Sequence, residues 1–330
     1  MDHRRLSVGT LVSAVSLVEL DPAPIAEDAV VDDAADAQSS GQSSPMASTL
    51  LKSSSTSTSI GLSGSSHGPI FYLTRIQRYS SYTFTLFSTL HLATTSLIPL
   101  AARSVASSES YLLLAREIYQ TPLSEPLLVV LPAAAHVASG LALRLLRRKH
   151  NLDRYYGEEK PGSGPTSFLS RLRAGWPTVT NISVSGFIFT VSLAAHAFVN
   201  RGLPLLVEGD SANVGLAFVA HGFARHPVIS YAAYGVLLVA GCGHMVWGWA
   251  KWAGLAQGAG WGLERVSGNI SVDREARRKR RRRLLMINGA AAVAIGLWAV
   301  GGIGIVAKGG LTPGWVGNVY DGLYDKLPLL

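Results

Sequence analysis

The chain has 330 residues, of which 48% are apolar and 15% charged, with a formal charge of +8. A soluble domain carries roughly 25% charged residues, so this deficit points to lipid as the solvent. The positive charge sits in blocks between apolar runs, which suits loops flanking membrane spans and argues against nucleic acid as a partner.

The first 70 residues show no sustained periodicity, and from Gln38 to Ser66 Ser, Thr and Gly dominate. Such a composition buries too little apolar surface to offset chain entropy, so residues 1–74 are expected to be a disordered tail. Arg4 and Arg5 precede an apolar run, Leu6 to Leu20, but Glu19, Asp21, Glu27, Asp28, Asp32 and Asp33 are too acidic for a matrix presequence. Targeting is therefore expected to reside in a span. Within the tail, Leu20-Asp21-Pro22-Ala23-Pro24-Ile25 has the form of a peptide ligand. Two prolines bias the backbone to an extended form and leave Leu20 and Ile25 for pockets.

Residues 75–310 read as a membrane domain of five spans. The first is expected from Ser81 to about Ala102 with His91 inside it, and the second from Pro126 to about Leu146 with His136 near its middle. A basic loop with Arg154, Lys160, Arg171 and Arg173 follows. The third span is expected to start between Pro177 and Ser185 and to run past His196, with a break near Pro204; the fourth, Pro227 to Trp252, carries His244. Another basic loop, Arg274 to Arg283, leads to a fifth span over 284–307 without histidine. Residues 311–330, with Trp315, Tyr320 and Tyr324, are expected to lie as a tail at the membrane interface.

The spans contain a repeat, 75–150 and 176–252. Pro99 follows His91 by eight residues and Pro204 follows His196 by eight; Gly140 follows His136 by four and Gly248 follows His244 by four. The expected architecture is an all-α membrane protein, a four-helix bundle from two histidine-bearing hairpins plus one extra helix. A lone intramembrane histidine ordinarily hydrogen-bonds a neighbouring helix. Four in register suit axial ligation of haem b, with His136 and His244 as one candidate pair and His91 and His196 as the other. By position in their spans, His91 and His136 read as central, whereas His196 and His244 read as late and so towards opposite faces, unless spans three and four are shifted along the chain. His67, His150, His221 and His226 fall in the tail or loops, where solvation is the default.

The two basic loops follow the second and fourth spans, which puts both on the side of the N-terminus, and the positive-inside bias then faces the tail to the cytosol and the C-terminus away from it. One cysteine, Cys242, forbids an internal disulfide. No phosphate-binding glycine loop, nucleophile elbow or zinc-spaced set is present, so no enzymatic constellation is expected. A transporter would suit the repeat, yet Arg144 and Lys251 near helix ends are the only intramembrane charges to couple transport.

Gln77-Arg78-Tyr79-Ser80-Ser81, ahead of a membrane histidine, resembles the approach to the first helix of the succinate dehydrogenase membrane anchor. That likeness implies quinone-site roles for Arg78 and for Ser80 or Ser81. Over residues 70–310 the chain resembles a fungal family of mitochondrial outer-membrane adaptors, found as suppressors of mitochondrial morphology defects and thought to be distant relatives of that anchor. The resemblance implies that Leu20, Pro22, Pro24 and Ile25 recruit a chorein-type bridge lipid-transfer protein to organelle contacts, supporting mitochondrial lipid homeostasis. It also implies a multi-pass protein of the outer membrane, with membrane lipids as its surroundings.

Overall fold

The computed structural model describes residues 68–156, 174–263 and 266–327. Leu20, Pro22, Pro24, Ile25, His67, Lys160, Arg171 and Arg173 lie outside them. Among the described residues there is no strand, and five helices are long and apolar enough to cross a membrane: α1 (Pro69–Ala102), α3 (Pro126–Arg154), α4 (Asn181–Val207), α6 (Pro227–Trp252) and α7 (Ile270–Lys308). Three shorter helices, α2 (Val105–Tyr119), α5 (Leu216–Arg225) and α8 (Gly314–Tyr324), join and follow them.

The spans expose apolar side chains over whole faces, with Leu86 and Val191 each about 70% accessible. Lipid is the solvent that makes such faces stable. Inside the domain α1 packs on α3, α4 on α6, and α7 on α6, so each hairpin forms its own helix pair. Cross-ties run between pairs: Tyr82 of α1 stacks on Trp249 of α6 with ring centroids 4.7 Å apart, and the Trp249 indole donates to Thr85 Oγ1 at 3.2 Å. The Trp247 indole donates to Asn288 Oδ1 of α7 at 3.0 Å.

The break expected near Pro204 is a π-turn, Phe198–Gly202, within a helix that continues to Val207. The same device recurs at Ala93–Leu97 in α1, ahead of Pro99. A proline lacks the N–H that an α-helix would give to the carbonyl four residues back, and a π-turn absorbs the mismatch without ending the span. In each copy the side chain four residues after the histidine satisfies that histidine's carbonyl. Thr95 Oγ1 donates to His91 O at 2.6 Å, and Asn200 Nδ2 donates to His196 O at 2.9 Å.

A third π-turn, Ala299–Ile303, lies in α7 and packs against the one in α1. There Ser96, fully buried, donates its hydroxyl to the carbonyls of Leu297 (2.6 Å) and Trp298 (3.1 Å). Gly301 lies so close to Ser96 that a Cβ would collide with its carbonyl.

Four expectations are corrected. The first span begins at Pro69, twelve residues before Ser81, because Thr74, Ser80 and Ser81 return their hydroxyls to their own helix and let the polar turns stay helical. The arginine run 274–283 is no loop: it forms the first turns of α7, capped by Asn269, whose side chain accepts the N–H of Ser271 at 3.0 Å. Arginine is a strong helix former, and the span simply extends out of the apolar layer. Residues 314–324 form a packed helix, and of its three aromatic residues expected at the interface Tyr320 and Tyr324 are buried in protein while Trp315 is exposed. Finally, His221 is 2% accessible, and His150, exposed as expected, lies on a helix rather than in a loop.

The short helices build a second core. Phe218 is fully buried among Leu203, Val214, Tyr320, Leu323 and Tyr324. Glu109 of α2 accepts the N–H groups of Leu216 and Ala217, both at 3.1 Å, and so caps α5 from a distant part of the chain. Burial pushes its carboxyl pKa up against the opposing pull of those two bonds and of Arg116. Arg116 donates to the carbonyls of Val214 (2.6 Å) and Ser211 (2.7 Å), which fixes the segment before α5.

Candidate functional site

The four membrane histidines are brought together in two pairs, one from each hairpin. His136 of α3 faces His244 of α6 with ring centroids 5.9 Å apart and planes at 85°. His91 of α1 faces His196 of α4 at 6.1 Å and 71°. The expected depths need revision: His91 lies in the later half of α1 and His136 in the earlier half of α3. In an antiparallel hairpin those two halves share one end, yet the contact of His136 with Gln77 sets the two histidines at different levels.

The separation follows from hydrogen bonds. His136 Nδ1 lies 3.0 Å from the carbonyl of Gln77, and His244 Nδ1 lies 3.0 Å from that of Ile182. Gln77 precedes His91 by fourteen residues, as Ile182 precedes His196. At 1.5 Å per residue the two layers stand about 21 Å apart along the helices. The paired offsets make the two hairpins equivalent about an axis along the bundle.

The pairs differ in their surroundings. A carbonyl oxygen can only accept, so His136 and His244 each carry the proton on Nδ1 and leave Nε2 as the lone-pair nitrogen. Gly186 allows α4 to approach the His244 ring, since a Cβ there would stand 2.7 Å from Cε1. At the other layer His91 Nδ1 is buried without a partner, stacked on Phe87 at 5.4 Å. His196 Nδ1 lies 3.4 Å from Asn200 Nδ2, an amide donor, which favours the opposite tautomer; its ring meets Tyr234 edge to face at 5.5 Å.

Two imidazole nitrogens each about 2 Å from one metal ion bring their ring centroids to roughly 6 Å. Both pairs stand at that separation. Only the His136–His244 pair also has the orienting contact usual for a ligating histidine, the second nitrogen donated to a backbone carbonyl. Among the described residues no group of three or more His, Cys, Asp or Glu is placed to hold a metal ion, so any metal here would need ligands of its own, as a porphyrin supplies.

Arg78, Ser80 and Ser81 turn inward on α1. Arg78 Nε donates to Tyr82 Oη at 2.7 Å, Ser80 Oγ to Gln77 O at 3.1 Å and Ser81 Oγ to Arg78 O at 2.6 Å. Ser80 and His136 thus share the Gln77 carbonyl.

Sequence reasoning missed the His221 site. His221 Nδ1 accepts the Thr312 N–H at 3.0 Å and Nε2 donates to Asp321 Oδ1 at 3.0 Å. Arg225 also pairs with Asp321, and with Asp325 at 2.7 Å. The hydrogen bond from His221, followed by the charge of Arg225, holds the Asp321 carboxyl below the usual carboxylate range. A spacing signal was present, because His221 and Arg225 lie four apart on α5, as Asp321 of α8 and its C-cap residue Asp325 do.

Helices of membrane-crossing length, a repeated hairpin and paired intramembrane histidines define a multi-pass helical membrane protein. Residues 191–311, from the middle of α4 past the end of α7, match the family model described as MDM10-complementing protein 1, transmembrane domain. That stretch holds His196, His244 and the whole fifth span, and it supports the resemblance to this mitochondrial family. No curated protein and no solved structure matches the chain.

Proposed function

We propose that the chain is a mitochondrial outer-membrane adaptor: the bundle anchors it, and the N-terminal tail recruits a chorein-type bridge lipid-transfer protein to organelle contacts. The match of residues 191–311 to the transmembrane domain of MDM10-complementing protein 1 carries this reading, together with Leu20-Asp21-Pro22-Ala23-Pro24-Ile25 in the tail. The arginine-rich start of α7 and the even number of spans separating it from the tail favour a cytosolic N-terminus. Replacing Pro22 and Pro24 by Ala is expected to abolish recruitment of the partner to mitochondria while the protein stays in the membrane. Undiminished recruitment by that double variant would remove the mechanism.

A second reading is favoured by one observation, the backbone carbonyl bonded to Nδ1 of both His136 and His244. On this reading His136 and His244 would hold a b-type haem, and the protein would be a sensor or electron carrier. Haem bound there supplies one-electron redox chemistry. The chain's own contribution is orientation: Gln77 and Ile182 hold the tautomer, and Gly186 gives α4 room beside the His244 ring. A sharp reduced α band in the purified protein, lost in His244→Leu, is the expected spectrum. A haem-replete preparation without the band leaves the four histidines as packing residues.

A further inference from the structure

The amino-terminal turns of α7 carry a site that neither reading uses. Arg278, Arg281, Arg282, Leu285 and Met286 line one open depression of about 530 Å³. Their spacing, i, i+3, i+4, i+7 and i+8, places all five on a single face of the helix. The face changes character along its length: three guanidinium groups come first, then two apolar side chains that are 51% and 64% accessible.

Neighbouring arginines are already engaged. Arg283 and Arg280 reach towards the Gly258 to Gly260 segment, where a Cβ would collide with the first and stand 2.9 Å from Nη2 of the second. Arg281 stacks its guanidinium over Trp261 at 5.3 Å, and tryptophan is an anchor at the headgroup level. No acidic side chain pairs with Arg278 or Arg282 among the described residues. Of the two acids on the helix, Asp273 accepts from Ser267 N (2.9 Å) and Ser267 Oγ (2.8 Å), which turns it away, and Glu275, three residues before Arg278, forms no ion pair with it. Unpaired guanidinium groups next to exposed apolar residues, where the helix changes from charged to apolar, match an amphiphile with an anionic head.

We propose that this face of α7 is a binding site for one anionic phospholipid of the surrounding membrane. Arg278 and Arg282 take the phosphate in charge-assisted, bidentate contacts, Arg281 flanks it from Trp261, and Leu285 and Met286 receive the start of an acyl chain. The choice of a lipid over a soluble phosphate rests on those two apolar residues, which a free headgroup would leave uncovered.

Native mass spectrometry of the detergent-solubilised full chain, titrated with phosphatidic acid, tests the site against phosphatidylcholine and glycerol 3-phosphate. A guanidinium near a membrane surface contributes roughly fivefold in affinity, so Arg278→Gln with Arg282→Gln is expected to weaken phosphatidic acid binding by about thirtyfold. The control pair Arg274→Gln with Arg277→Gln removes the same charge from the same helix outside the depression, and should leave binding within about threefold. Leu285→Gln with Met286→Gln is expected to weaken the lipid and leave any glycerol 3-phosphate binding unmoved. All these positions are exposed, and an unchanged melting temperature confirms the fold. Equal losses in the test and control pairs, equal binding of phosphatidylcholine, or competition by glycerol 3-phosphate at the lipid's own concentration would each overturn the proposal.

Discussion

Glu109 caps a helix that begins more than a hundred residues later, and the contact can be broken from either side. Its carboxylate accepts from Leu216 and Ala217 at 3.1 Å, and Gly215 lies beneath it, where a Cβ would collide with Oε1. Glu109→Ala deletes the cap. Gly215→Ala expels the carboxylate, and does so without backbone strain, since φ is −139°. Loss of an N-terminal cap costs about 1 kcal/mol, up to about 2 where the groups are partly buried. Each single variant should therefore lower the melting temperature of the purified protein by ~2–8 °C, at ~2–4 °C per kcal/mol for a domain of this size. With Glu109 already Ala, the three atoms nearest the new methyl at residue 215 are gone and nothing else stands closer than 3.2 Å, so Gly→Ala then stabilises by about 0.4–1 kcal/mol through the unfolded chain. The double variant should melt no lower than Glu109→Ala alone, a coupling of roughly 1–3 kcal/mol. Thermal unfolding followed by tryptophan fluorescence in one detergent measures all four corners of the cycle. Additive losses would show that Gly215 and Glu109 act independently, and the capping argument would fail.

Other predictions rest on single contacts. Ser96→Ala leaves the Leu297 and Trp298 carbonyls short of a buried donor and should cost ~1–3 kcal/mol by the same melt, with Gly301→Ala at least as damaging because its Cβ meets main chain that cannot rotate away. Gly222→Ala displaces the Tyr324 hydroxyl that donates to Phe218 O at 3.1 Å, so it should destabilise more than Tyr324→Phe, which loses only that bond; the two melts compared side by side decide it. Asp321 titrates below its ordinary value of 3.8 in the folded state. Its contribution is thus fully present above that value and is lost as pH falls through the lowered folded pKa. Melting curves taken from pH 5 down to 3 should show a decline that Asp321→Asn flattens; an unchanged slope in the variant would assign the acid sensitivity elsewhere.

Much of the membrane domain was legible because lipid imposes a simple rule: about twenty apolar residues in a row become a helix. Pro227 and Trp252 bound both the expected and the observed fourth span for that reason. The ends of α1 and α7 were misjudged where the rule stops applying, since polar turns outside the apolar layer remain helical on propensity and side-chain bonds rather than on hydropathy. The repeat was visible as His91 and Pro99 against His196 and Pro204. Its physical content, a π-turn with the histidine carbonyl taken by Thr95 or Asn200, was not, because nothing in the residue order states which carbonyl a side chain will meet.

The sequence by itself determined that the chain has five membrane-crossing helices, two related hairpins and one more, because spacing and hydropathy are local properties. Only the tertiary structure decided which histidines face one another, that Gln77 and Ile182 orient one pair alone, and that His221 is buried against Asp321. Those outcomes depend on how antiparallel helices register against each other. That register is set by close contacts such as Gly186 beside His244 and Gly301 beside Ser96, which join residues far apart along the chain.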